Sequence, residues 1–114
     1  MTMELSELPG GMVKVILQGR LDSPGVDVIE TKFLGAVTPS GRHAAVDLSG
    51  VEFIASMGIR MLISTARALS RRGGRFVLFA PQQDVMDIFN HVSLADIIPV
   101  YETEDEALAA LQSS

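Results

Sequence analysis

The sequence contains no cysteine, which excludes disulfide bonds, thiolate metal ligands and a cysteine nucleophile. It also lacks the motifs of a dinucleotide-binding loop, a phosphate-binding loop and a zinc protease. Only two histidines are present, His43 before a predicted strand and His91 at the end of a predicted helix. We interpret both as surface or cap residues, because no second catalytic group or metal ligand accompanies either. The sequence therefore predicts a protein that is not an enzyme and that needs neither a metal nor a cofactor.

Positive charge is scarce and unevenly placed along the chain. Nine Lys and Arg residues stand against fourteen Asp and Glu residues, so the formal net charge is −5. Arginines cluster in and after the central helix predicted below, whereas no Lys or Arg follows Arg75. This acidic balance argues against general nucleic-acid binding.

Long apolar runs are also missing. None approaches the ~18 residues that a membrane span needs, and no basic patch followed by an apolar segment indicates a secretory signal. Together with the absence of cysteine, this pattern favours a cytoplasmic protein without membrane insertion.

Strand and helix patterns alternate after an opening hairpin. Strands are predicted at residues 3–8, 12–18, 43–48 and 75–80 and near 97–98, with a turn at Ser49-Gly50 after the third. Ser23 is predicted to cap the first helix, with Pro24 at the first helical position. The core stripe of that helix has helical spacing: Val26, Ile29, Phe33 and Val37. The other helices are predicted to begin after Ser56, at Pro81 and after Thr103. We expect one domain over residues 1–114. Its fold class is α/β, with a mostly parallel central sheet of four to five strands, an antiparallel N-terminal edge strand and about four helices.

The central helix combines an apolar stripe with a polar face. The predicted core positions share helical spacing: Ile59, Leu62, Ile63, Ala66 and Leu69. The opposite face carries Arg60, Ser64, Arg67 and Arg71. Met57 and Met61 lie one turn apart and are predicted beside the core stripe, where adaptable methionines suit a binding surface.

Ser56 stands at the junction between an apolar strand and this helix. A serine here predicts an N-cap, because its oxygen accepts a hydrogen bond from a free N–H group of the first turn. Added negative charge is also well tolerated at this end of a helix.

Three motifs in order carry a family resemblance: Gly19-Arg20-Leu21-Asp22, then VDLSGVEFI at residues 46–54, then Ser56-x-Gly58-Ile59 before a helix. Together with residues 73–78 and 85–98 they make nearly the whole chain resemble the STAS domain of bacterial anti-sigma factor antagonists. The resemblance implies the STAS fold and a partner switch. In such a switch the unmodified protein binds an anti-sigma factor, a serine kinase of the histidine-kinase-like ATPase fold, which phosphorylates the antagonist and so ends the complex. A PP2C-type phosphatase resets it.

The resemblance also implies site residues. Ser56 matches the phosphorylated serine, and the expected partner-binding residues surround it: Asp22, Ser23, Ala55, Met57, Gly58 and Met61. The family motif commonly reads Asp-Ser-Ser/Thr-Gly, so Ala55 replaces an acidic residue here. A second hypothesis therefore stays open, in which a STAS scaffold or subunit binds a nucleotide, a transporter or other STAS proteins without a kinase.

Overall fold

The computed structural model of the chain describes residues 1–39 and 41–112. Five strands and four helices alternate as the sequence predicts, with two short 3-10 turns. In chain order the elements are β1 (Thr2–Leu8), a 3-10 turn (Pro9–Gly11), β2 (Met12–Leu21), α1 (Ser23–Val37), β3 (Ala44–Ile54), α2 (Ser56–Ser70), β4 (Phe76–Phe79), α3 (Gln83–His91), a 3-10 turn (Leu94–Asp96), β5 (Val100–Tyr101) and α4 (Glu104–Gln112).

The strands form one mixed sheet in the order β1-β2-β3-β4-β5. β1 is antiparallel to β2, and every later pair is parallel, as the predicted fold class requires. The hairpin turn between β1 and β2 contains Gly10 at φ +82° and Gly11 at φ +78°, which other residues rarely adopt.

Helices cover both faces of the sheet to different extents. α1, α2 and α3 share a large apolar core with the first four strands, whereas α4 packs on the other face against a cluster of six buried residues. The predicted α1 stripe of Val26, Ile29, Phe33 and Val37 is fully buried in the large core. The small cluster contains Met12, Ala45, Val77, Phe79, Ala107 and Leu111.

Two predicted details of the sheet are wrong. β3 continues through Ser49-Gly50 to Ile54, because bulges shift its register against β2 instead of ending the strand. Gly50 permits this path, since a Cβ there would lie 2.8 Å from the Cγ of Gln18. The last strand lies at Val100–Tyr101 rather than near 97–98, because Ile98 is buried in the core as part of a turn.

Candidate functional site

The parallel sheet brings two helix starts to one edge. Leu21 and Ile54 are register partners at the ends of β2 and β3, and the chain enters α1 and α2 directly after them. The backbone N–H of Ala55 donates to the carbonyl oxygen of Leu21 at 3.1 Å and joins the two starts. We call this region the corner surface; it consists of Asp22, Ser23, Ala55, Ser56, Met57 and Gly58.

Asp22 caps α1, which corrects the prediction that Ser23 does so. The Asp22 carboxylate accepts a hydrogen bond from the Gly25 N–H at 3.0 Å, and Ser23 is the first residue of the helix. The Arg20 Nε donates to the other carboxylate oxygen at 3.3 Å. The Gly25 hydrogen bond, aided by Arg20, lowers the pKa of Asp22 below its usual value. The corner surface therefore carries a fixed negative charge at neutral pH.

Ser56 is the first residue of α2. The prediction that Ser56 is the N-cap is therefore wrong. Ala55 occupies the cap position with extended backbone angles, because its N–H still bonds to β2 in a strand-like manner. Alanine offers no side-chain acceptor, so the first turn of α2 has no side-chain cap. The Ser56 side chain is exposed to solvent. Its hydroxyl is therefore accessible beside free backbone N–H groups.

Gly58 is the point of closest approach between α2 and β2. It is buried, and a Cβ there would lie 2.5 Å from the carbonyl oxygen of Leu21 and 2.7 Å from its Cγ. Any side chain would push the first turn of α2 away from the sheet. Because Gly58 has no Cβ, the first turn of α2, which contains Ser56, can pack against the end of β2.

The two methionines of α2 have different environments. Met57 is 37% exposed on the corner surface, as expected. Met61 is 1% exposed, so its predicted place on the accessible edge of α2 is wrong. The buried face of the helix contains Gly58, Met61, Leu62, Thr65 and Leu69, which rotates the core stripe relative to the predicted one. The predicted core residues Ile59, Ile63 and Ala66 are only partly buried at its flank. Met61 is therefore a core residue and is not available for direct contact with a partner.

One contact near the corner surface was not predicted from the sequence. The Arg20 guanidinium lies 4.4 Å from the centre of the Phe53 ring, and Phe53 is 36% exposed although it belongs to β3. The bulge between Val51 and Phe53 disturbs the strand alternation that would otherwise indicate which face this ring occupies. Exposed apolar side chains thus include Phe53 near the end of β3 and Met57 in the first turn of α2.

The corner surface offers a small set of chemical groups. Across residues 1–39 and 41–112, no group of His, Asp or Glu side chains could hold a metal ion. No helix in the described part of the chain is long and apolar enough to cross a membrane. What the corner surface offers is an exposed hydroxyl, a nearby carboxylate and the N-terminus of a helix.

Known proteins share this architecture. The family model described as STAS domain matches residues 5–107. The curated protein BtrV of Bordetella bronchiseptica, named as a candidate anti-sigma factor antagonist, is 27% identical over 104 residues, which cover 91% of this chain and 90% of BtrV. A crystal structure of an anti-sigma factor antagonist from Mycobacterium paratuberculosis is 27% identical, with a TM-score of 0.87 over 98% of this chain and 94% of that one. The Bacillus cell fate determinant SpoIIAA in its phosphorylated form is 22% identical, with a TM-score of 0.71 over 97% of this chain and 100% of that one, a likeness that shows the fold alone.

Proposed function

The chain belongs to the STAS domain family, and from this premise we propose that it is an anti-sigma factor antagonist that is switched by phosphorylation of Ser56. Unmodified, it binds an anti-sigma factor serine kinase of the histidine-kinase-like ATPase fold through the corner surface, in the cytoplasm. Phosphorylation ends the complex, and a PP2C-type phosphatase restores the hydroxyl. The observation that carries the proposal is the exposed Ser56 side chain at the first position of α2. The names of BtrV and the Mycobacterium protein support the class of partner.

The local electrostatics give the switch its direction. A phosphate on Ser56 adds about −1.5 to −2 charges at neutral pH. On the free domain, the uncapped N–H groups and the dipole of α2 favour it by about 0.3–1 kcal/mol. In the complex the same group would be enclosed against a surface fitted to a neutral hydroxyl, where desolvation costs several kcal/mol. Each 1.4 kcal/mol is about tenfold in affinity, so phosphorylation releases the partner and leaves the fold intact.

Variants of Ser56 test this function with anti-sigma factors of the ATPase fold from the source organism as probes. Ser56→Ala should bind one of them without being released by ATP. Ser56→Asp should bind at least tenfold more weakly, with a melting temperature near that of the wild type. Ser6→Asp is the control, because Ser6 is an exposed serine on the edge strand β1, outside both α2 and the corner surface. Two results together would contradict the switch: tight binding by Ser56→Asp, and no phosphate on Ser56 of the wild type after incubation with the bound kinase and ATP.

The non-phosphorylated scaffold remains the second candidate. Ala55 favours it, because the acidic residue that commonly precedes the family's phosphorylated serine is absent. On this hypothesis the corner surface binds a nucleotide, a transporter or other STAS proteins, and Ser56→Asp changes affinity no more than the control Ser6→Asp does.

A further inference from the structure

The solvent face of α2 carries a line of cations that begins at Ser56. Arg60, Arg67 and Arg71 are all exposed, and we call them the arginine stripe. Ser56, Arg60, Ser64, Arg67 and Arg71 follow at intervals of four, four, three and four residues, which places them on one face of the helix. α2 contains no acidic residue. The stripe is therefore continuous with the corner surface.

Nothing in the described fold neutralises these cations. The ion pairs among residues 1–39 and 41–112 join Lys14 to Glu104, Arg20 to Asp22 and Arg42 to Glu7, and none includes the stripe. Arg67 and Arg71 lie near the C-terminus of α2, where the helix dipole favours a cation. Arg60 lies in the second turn, close to the other end, and gains nothing from the dipole. Among the described residues Arg60 therefore has no ion-pair partner.

We propose that the arginine stripe is the docking surface for an acidic face of the anti-sigma factor, and that a phosphate on Ser56 closes this surface by pairing with Arg60. The proposal rests on the proposed function. Residues four apart on a helix have Cβ atoms about 6 Å from each other, and an anion placed N-terminal to the cation is the favourable order. A phosphate on Ser56 therefore captures the nearest arginine of the stripe and reverses the local charge. Repulsion then replaces attraction where the partner approaches Ser56.

Charge distribution favours an acidic protein over a nucleic acid as the occupant. The chain has a net charge of −5, and residues 76–114 contain acidic groups but no Lys or Arg. Three arginines on such a molecule neutralise too few phosphates for nucleic-acid affinity at physiological salt. They suffice to orient a partner whose facing surface is acidic and to speed its approach.

The pairing with Arg60 is tested on the protein alone, with phosphoserine incorporated at position 56 during translation. The second pKa of the phosphate is followed by 31P NMR during a pH titration. Arg60→Gln should raise this pKa, because the neighbouring cation stabilises the dianion. Arg67→Gln is the matched control, because this arginine lies seven residues, about 10 Å, further along the axis, and should change it less. Equal effects of the two variants would overturn the pairing.

The docking role is tested with the anti-sigma factor that binds the wild type. Arg67→Glu should weaken binding about twofold to thirtyfold at low salt and reduce the dependence of affinity on salt. Lys32→Glu reverses one exposed charge on α1 in the same way and should leave both properties near those of the wild type. Melting temperatures verify that both variants fold.

The outcomes distinguish failure of the docking role from failure of the proposed function. If Ser56→Asp releases the partner but Arg67→Glu binds like the wild type, the docking role is wrong and the proposed function stands. If no anti-sigma factor binds the wild type, the function and the docking role fail together, and the phosphate titration still decides the pairing. If a short DNA duplex binds the wild type and loses affinity with Arg67→Glu, the stripe is a nucleic-acid site and the assignment to an acidic protein is overturned.

Discussion

Different physical constraints act on Ser56 and Gly58 in the corner surface. The Ser56 side chain does not stabilise the start of α2, because it caps no helix and is exposed to solvent. Gly58 is the opposite case, because the space that a Cβ would occupy is taken by Leu21. A motif of Ser-x-Gly thus joins one residue available for chemistry to one that only packing explains.

Gly58→Ala should destabilise the domain although alanine is the better helix former. Its Cβ would meet the backbone of Leu21 at 2.5 Å, and overpacking of this kind costs about 1–3 kcal/mol. Gly35→Ala is the control, since Gly35 lies in α1 with nothing within 4 Å of an added Cβ and should stabilise by about 0.4–1 kcal/mol. Urea unfolding of both variants measures the difference. A Gly58→Ala protein as stable as Gly35→Ala would show that α2 can shift freely from β2.

At the scale of the elements, the two helices that meet at the corner begin differently. α1 has a charged cap in Asp22, whereas α2 has Ala55 at its N-cap position and no side-chain cap. The difference leaves the first turn of α2 open to an anion. The cap of α1 and the missing cap of α2 can each be tested by a substitution.

The Asp22 cap should make stability depend on pH. Its pKa is lowered in the folded protein by the Gly25 hydrogen bond and by Arg20. A carboxylate of this kind contributes stability above its unfolded pKa of about 3.9 and loses it as the pH falls through the folded value. We expect Asp22→Asn, which keeps an acceptor without the charge, to melt below the wild type at pH 7, with the gap narrowing toward pH 3. A gap that stays constant across this range, measured by thermal unfolding, would contradict the role of the charge.

Ala55→Asp should act on α2 in two ways. The carboxylate supplies the missing cap, which is worth about 0.5–2 kcal/mol, and restores the acid that commonly precedes the family's serine. We therefore expect a higher melting temperature and faster phosphorylation of Ser56 by the matching kinase. Ala55→Asn supplies a cap without the charge, so it separates the two effects. A rate for Ala55→Asp no higher than that for Ala55→Asn would show that the kinase does not read this charge.

At the scale of the whole molecule, the two faces of the sheet differ in how much apolar surface they bury. α1, α2 and α3 close one large core, whereas α4 rests on the six-residue cluster, the Lys14–Glu104 ion pair and a hydrogen bond from Arg75 to the Ala110 carbonyl. Helices with few buried contacts open locally at lower free energy than the global transition. α4 is therefore expected to be the least stable helix of the domain.

Native-state hydrogen exchange should reveal this order. Amides of α4 should exchange through a local opening, while those of β2 and β3 require global unfolding. Leu111→Ala should speed exchange mainly in α4, whereas Leu62→Ala, in the large core, should lower protection throughout. Uniform protection of α4 and the central strands would mean that the molecule opens only as one unit.

The main elements and the family followed from the sequence because they depend on local pattern. Apolar periodicity located α1 and α2, the alternation of strands and helices predicted the sheet, and the spacing of Ser56 and Gly58 after β3 indicated the STAS resemblance. Predictions from these patterns agree with the structure because each pattern depends on residues that are close in the chain. The role of Ser56 as a switch stays a prediction.

Only the tertiary structure decided the cap position of α2, the need for Gly58 and the burial of Met61, because these depend on contacts between distant segments. The Leu21 carbonyl fixes where α2 begins, so Ala55 and not Ser56 takes the cap position. The same approach of β2 requires Gly58, and the packing of α2 on the core buries Met61, which the helical pattern alone left at the edge. The sequence by itself determined the order of the elements and the motif that makes Ser56 and Gly58 candidate site residues. Their exposure, caps and charges were set by tertiary contacts, because burial and hydrogen bonding depend on neighbours that the linear pattern does not contain.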